Sequence, residues 1–324
     1  MQFLKQGRHW LQSLLTALLV SAGTVHAQAW PSKPIKFVTN FPAGGPADYL
    51  ARSTGEYITT QFKQPVVVEN KPGAGGNIGA DFVAKSPADG HTVLFGIDTT
   101  FTVNPHIYKS MAFKAADLKP IMVMVSSGLL VGTFPGTGIK SLKELIAQGK
   151  GKGLNFSSAG SGSPGHLAAE IFMDAAGIKI QHVPYKGNTP AVTAVLAGEV
   201  DAGALATPGM LPHVKTGKIT ALAVTSRQRS RSAPDIPTVA EAGLKDLELE
   251  VLYVAMVPAA TPEPVVQLLQ KAFTEAFKRA DTQAQLASMD LFYEGLTGPA
   301  AAKRLSDQSQ RYGRVVQSTG MKVE

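Results

Sequence analysis

Two stretches decide the fold: Phe41-Pro42-Ala43-Gly44-Gly45-Pro46 and Phe156-Ser157-Ser158-Ala159-Gly160-Ser161-Gly162-Ser163-Pro164. Each follows a short β-rich run, and each ends on a proline that opens a helical pattern. Proline is favoured there because the first helical residue has no intrahelical N–H bond to lose and its φ is already set. A strand, a small-residue loop and a helix start place backbone N–H groups at the carboxyl end of a strand. Open α/β sheets bind ligands at that position, and helix N-termini attract anions. One such loop is common. Two, one in each half of the chain, point to a cleft that grips a carboxylate from both sides.

Strand-like and helix-like segments alternate outward from these loops, which is an α/β pattern. Strands are expected at 34–39, 65–69, 92–97, 121–125 and 129–133, with a helix from Pro46 to Phe62 and a short one ending at Ala84. The pattern then restarts with a helix at 141–147, a strand at 154–157 and a helix over 164–176. Ser163 is its N-cap and Gly177 its terminator. Strands follow at 179–183, 200–205 and 219–225, and Thr189-Pro190 repeats the cap-plus-proline signal. The apolar segment 249–257 returns toward the first half, and helices near 262–279, 281–289 and 300–319 close the chain.

The 324 residues are 44% hydrophobic and 17% charged, which excludes a mainly disordered chain and favours two lobes. Cysteine is absent, which excludes disulfides, thiolate metal sites and cysteine nucleophiles. Residues 1–27 read as a secretory signal: Lys5 and Arg8 precede the apolar run 11–22, and Val25-His26-Ala27 ends on a small residue. That run is too short to span a membrane. Export without cysteine suggests a bacterial periplasm. The net charge of +7 is scattered. Its tightest cluster, Arg227-Gln228-Arg229-Ser230-Arg231, has no aromatic interleaving, so no nucleic-acid partner is expected.

Other motifs carry little chemistry. The glycine run 73–79 has Ile78 where a dinucleotide fingerprint needs glycine, so it reads as a closely packed turn. Ser161-Gly162-Ser163-Pro164-Gly165 misses the nucleophile elbow, with Ser161 where glycine is required. His166 and Glu170 share a helix face without an HExxH motif, and no metal or cofactor is expected. Asp48 falls in the first turn of the helix after Pro46. It is either a helix-dipole acid or a cleft-facing carboxylate.

The chain resembles the Bug family, the extracytoplasmic solute-binding receptors of tripartite tricarboxylate transporters. The resemblance rests on Trp30-Pro31-Ser32-Lys33-Pro34-Ile35, the Phe41–Gly45 loop with Asp48, Ala51 and Arg52, and Gln64 through Gly76. It continues in Asp89-Gly90-His91-Thr92, Asn104-Pro105, His182 through Gly187, Gly198-Glu199-Val200-Asp201, Leu222 through Thr225, and Pro234 through Gly243.

The resemblance implies a two-lobed Venus-flytrap protein with its ligand cleft between the lobes, residues 28–130 and 251–324 forming one and 131–250 the other. It implies a ligand carboxylate held by Phe41, Pro42, Ala43, Gly44, Gly45 and Asp48. The opposing loop supplies Phe156, Ser157, Ser158, Gly160, Ser161 and Ser163, with His166 and the loop near Thr207 as further candidates. Asp98 and Tyr253 stand in segments that depart from the family pattern. Phe41, Phe101, Phe156 and Tyr253 are candidates to stack on an aromatic ligand. The expected function is capture of a di- or tricarboxylate or an aromatic carboxylate by a periplasmic monomer that docks on membrane transporter subunits. A sensor that presents its ligand to a receptor is one alternative. A secreted serine hydrolase using Ser161 or Ser163 is the other.

Overall fold

The computed structural model of the protein describes residues 30–322. The proposed signal segment 1–27 lies outside the described residues. The strand β1 (Ile35–Thr39) runs through loop 40–45 into helix α1 (Pro46–Phe62). It is followed by β2 (Val66–Asn70), α2 (Asn77–Ala84) and β3 (Thr92–Ile97). Two single-turn helices, α3 (Thr99–Thr102) and α4 (Asn104–Ile107), precede the long strand β4 (Leu118–Ser127).

The second half opens with β5 (Leu129–Thr133), α5 (Leu142–Lys150), β6 (Leu154–Ser158) and α6 (Pro164–Ala176). It continues with β7 (Ile180–Pro184), α7 (Asn188–Ala197), β8 (Ala202–Ala206), α8 (Thr207–Lys215) and β9 (Thr220–Val224). The chain then returns through β10 (Val251–Pro258), α9 (Glu263–Lys278), α10 (Ala280–Ser288), β11 (Phe292–Thr297) and α11 (Gly298–Thr319).

These strands form two mixed sheets. One is ordered β11-β4-β10-β3-β1-β2, the other β7-β6-β8-β5-β9. β1 runs parallel to β2 and β3, while β10 lies antiparallel between β3 and β4. All eight residues of β10, Val-Leu-Tyr-Val-Ala-Met-Val-Pro, are buried, as a strand covered on both faces must be. Phe37 of β1, Phe95 of β3 and Phe273 of α9 pack together with ring centroids 4.6–5.9 Å apart. That distance is ordinary aromatic contact. In the second sheet β6 is parallel to β7 and β8, and β5 is antiparallel to β8 and β9. Helix α6 presents nine consecutive buried residues, Pro164 to Phe172, and packs on α11.

Two segments cross between the sheets, and Thr225 joins them. Its hydroxyl accepts from the N–H of Leu129 (2.8 Å) and donates to the carbonyl of Leu249 (2.7 Å). Its backbone bonds the same two residues. Gly128, the single residue between β4 and β5, has no room for a side chain. A Cβ there would stand 2.8 Å from the backbone nitrogen of Ser226.

Two expectations need correction, and the structure adds a strand. The helix after β7 begins at Asn188 with Gly187 as N-cap, so Thr189 is not the cap. Thr207 is not in a loop but is the first residue of α8, a helix that tolerates an internal Pro212. Strand β11 is a half-buried edge strand containing Gly295, and it was not anticipated. The glycine run does pack closely: a Cβ on Gly79 would lie 2.9 Å from the Cα of Asn40.

Candidate functional site

The polypeptide between β1 and α1 and the start of α6 face a common cavity of about 480 Å³. That volume is in the range of small-molecule sites. From the first sheet's side come Phe41 through Ala47, together with Ile97, Val251 and Tyr253. From the second come Ala159, Ser163–Gly165, Lys186–Pro190 and Ala204–Gly209 without Thr207. Where the two sides approach, the Cγ of Pro42 lies 3.8 Å from the point a Cβ on Gly187 would occupy.

The first turns of α1, α6, α7 and α8 all line this cavity. Three of them, α6, α7 and α8, carry no acidic residue in the first turn, so the positive ends of their dipoles are not neutralised locally. Among the described residues, Lys186 is the only charged side chain in the lining.

Asp48 is the acid of α1's first turn, yet it does not line the cavity and is 6% exposed. Its Oδ2 accepts from the N–H of Gly44 (3.1 Å) and from Nε of Arg52 (3.0 Å). Its Oδ1 accepts from Nη2 of Arg52 (3.0 Å) and Nδ2 of Asn70 (2.9 Å). Burial pushes the carboxyl's pKa up, but hydrogen bonds from Arg52, Asn70 and Gly44 outweigh it and hold it below its usual value. Asp48 therefore stays ionised and fixes the loop from behind.

The opposing loop is held in the same manner, by two histidines. Gly162 donates its N–H to Nδ1 of His166 (3.1 Å), which leaves Nε2 as the protonated nitrogen, 3.4 Å from Glu170. Ser158 meets Nε2 of His182 at 2.6 Å and also receives the N–H of Gly160 (3.2 Å). The two imidazoles stack with centroids 3.9 Å apart. Burial first, then the neighbouring His166, presses the pKa of His182 down to about 4.

The expected site residues divide into three groups: those that line the cavity, those that brace its loops and those that do neither. Phe41, Pro42, Ala43, Gly44, Gly45 and Ser163 line the cavity. Asp48, Ser158 and His166 brace its loops. Phe156 and Ser157 are wholly buried strand residues: Phe156 packs on Phe172 and Ser157 bonds the carbonyl of Ala191. Gly160 and Ser161 lie on the loop outside the lining, Ser161 exposed. The buried Thr207 hydroxyl donates to the carbonyl of Gly128.

Of the aromatic candidates, Phe101 is packed against Phe113 in the core, while Tyr253 reaches the cavity wall. Asp98 is buried and accepts from the N–H of Leu252 (2.9 Å) and Nε2 of Gln308 (2.7 Å). The serine bonded to a histidine ring is the buried Ser158, not Ser161 or Ser163. The hydroxyl of Ser163 caps α6 by accepting the N–H of His166 (3.4 Å).

Sequence reasoning missed Leu129, the Lys186–Pro190 turn, Leu205, Val251 and Met289, among others. Only the turn had a local signal, its proline-opened helix. Among the described residues, no group of three or more His, Cys, Asp or Glu is placed to hold a metal ion. Among the same residues, no helix is long and apolar enough to cross a membrane.

Two α/β lobes with helix N-termini turned onto a shared cavity define a bilobed periplasmic binding protein. Residues 50–321 match the model of the tripartite tricarboxylate transporter family receptor. Protein BugT of Bordetella pertussis is 34% identical over 307 residues, covering 94% of each chain. The solved structure of R. palustris Rpa4515 with adipate superposes with a TM-score of 0.85 at 28% identity, over 90% of this chain and 99% of that one. Periplasmic binding protein BugD gives a TM-score of 0.82 at 29% identity, over 91% and 100%. MatC from Rhodopseudomonas palustris with bound malate gives 0.81 at 26%, over 89% and 100%.

The chain belongs to the tripartite tricarboxylate transporter receptor family. It is a solute-binding protein rather than an enzyme, and a periplasmic location agrees with its relatives.

Proposed function

We propose that the cavity captures a small organic acid. The carboxylate is received by the backbone N–H groups of Ala43 and Gly45, the Gly44 N–H being held by Asp48, and by the first turn of α6 with the Ser163 hydroxyl. The single observation that carries this reading is the convergence of four helix N-termini on one cavity. Such ends supply hydrogen-bond donors and a favourable field for an anion. The relatives solved with adipate and malate support a ligand of this class.

In this reading residues 28–130 with 251–324 form one lobe and 131–250 the other. Bound ligand touches both, and favours the closed arrangement by binding it better than the open one. The closed monomer docks transiently on membrane transporter subunits, after export and cleavage near Ala27. Asp48, Ser158 and His166 position the two loops.

Isothermal titration of the chain from Gln28, stripped of carried-over ligand, with adipate, malate, hexanoate and benzoate tests the reading. The matched control is Gly44→Val. Gly44 sits at φ +81° on the lining loop, where a β-branched residue is strained. Binding by the native chain and its loss in the folded variant are expected. Equal binding by both removes the loop from the site. Binding of none of these acids overturns the reading.

A further inference from the structure

The cavity's chemistry narrows the ligand class beyond a small acid. Its walls are largely carbon: Phe41, Ile97, Leu129, Leu205, Val251 and Tyr253 all contribute. The Tyr253 phenol is buried, and burial pushes its pKa up to about 12, so it stays neutral. The Oδ1 of Asn188 is already engaged, accepting the N–H of Ala206 (2.9 Å).

Charge is equally sparse. Among the described residues, no carboxylate lines the cavity, and the nearby Asp48 is turned away onto Arg52, Asn70 and Gly44. A ligand ammonium would therefore be desolvated without a counter-charge, which is strongly unfavourable. Lys186 is the one cationic side chain, and it is exposed. The three helix N-termini without a first-turn acid supply about half a positive charge each. Such a set matches one carboxylate and part of a second, and leaves the remaining charge of a compact tricarboxylate such as citrate against carbon walls. The apolar walls, by contrast, gain free energy from every methylene or ring carbon placed against them.

We infer that the site selects a carboxylate with an uncharged, apolar body, an aryl or saturated-chain acid, over zwitterionic amino acids and compact polycarboxylates. The inference rests on the capture reading above and specifies the ligand for that same site.

Competition calorimetry on the chain from Gln28, unfolded and refolded to remove carried-over ligand, tests it with hexanoate, benzoate, citrate and aspartate. The tighter of hexanoate and benzoate is expected to bind at least tenfold more tightly than either citrate or aspartate. Citrate or aspartate binding within tenfold of the tighter apolar acid overturns the inference and leaves the capture reading standing. Failure of all four acids, and of adipate and malate, to bind folded protein overturns both.

Discussion

The N–H of Gly44 donates to the carboxylate of Asp48 across 3.1 Å, so the loop that lines the cavity is tied to the helix it introduces. The same carboxylate holds Arg52 by two bonds of 3.0 Å, one to each oxygen. The Asp48 charge is therefore already matched, and it shapes the cavity-lining loop while turned away from the cavity. It also takes one N–H of that loop out of the donor set.

Asp48→Ala is expected to lower carboxylate affinity at least tenfold, about 1.4 kcal/mol, because the loop loses its tether and Arg52 its partner. Arg52→Ala leaves the Gly44 bond in place and is expected to cost less. Calorimetric titration of both variants checks the order. An Asp48→Ala protein with native affinity would show that the tether does not matter to binding.

Gly128→Ala is expected to destabilise the protein. The added Cβ would stand 2.8 Å from the backbone nitrogen of Ser226, and backbone cannot step aside cheaply. The neighbouring Thr225 holds both crossing segments, so the strain falls on the joint between the lobes. Overpacking of this kind costs about 1–3 kcal/mol. Scanning calorimetry should show a lower Tm, and an unchanged Tm would mean that the crossing relaxes freely.

His182 makes stability depend on pH in a defined direction. Burial, then His166, presses its pKa to about 4 against Glu170's opposing pull, while the unfolded chain titrates near 6.5. Between these values the unfolded chain takes a proton that the native protein refuses, so stability falls as pH falls through that window. Asp98 works the other way. Its burial raises the carboxyl to about 7 from 3.8, so its contribution shrinks as pH rises between those values. The difference between native and His182→Gln isolates the first effect, since Ser158, His166 and Glu170 remain. Lowering pH from about 7 to about 4.5 should move the Tm difference in the variant's favour. A difference that does not change with pH would contradict the assignment.

Local chemistry made much of this legible. Proline at the first helical position placed the starts of α1 and α6 correctly, and with them Phe41–Gly45 and Ser163. Asp48's orientation was also written in the chain. Arg52 stands four residues on, on the same helix face, the spacing at which a carboxylate and a guanidinium meet. What remained hidden was tertiary. Leu129, Leu205, Val251 and Met289 reach the cavity only because distant strands and a helix end are brought together. Ser158 is expected to open the loop, but β6 continues through it, and Phe156 and Ser157, expected to face the ligand, are buried in the sheet. The expectation of a loop near Thr207 came with the family resemblance; Pro208, Gly209 and Pro212 disfavour a helix there, yet packing of Met210 and Leu211 in the core outweighs that preference.

The most direct test of the account is a crystal structure of the chain from Gln28 with its tightest-binding acid. The account predicts a carboxylate within hydrogen-bond distance of backbone N–H groups in the Ala43–Gly45 loop and of the α6 N-terminus at Ser163–Gly165. Its body should lie against Tyr253, Leu205 and Val251. A carboxylate seated on Lys186 alone, or an acid bound outside this cavity, would contradict it.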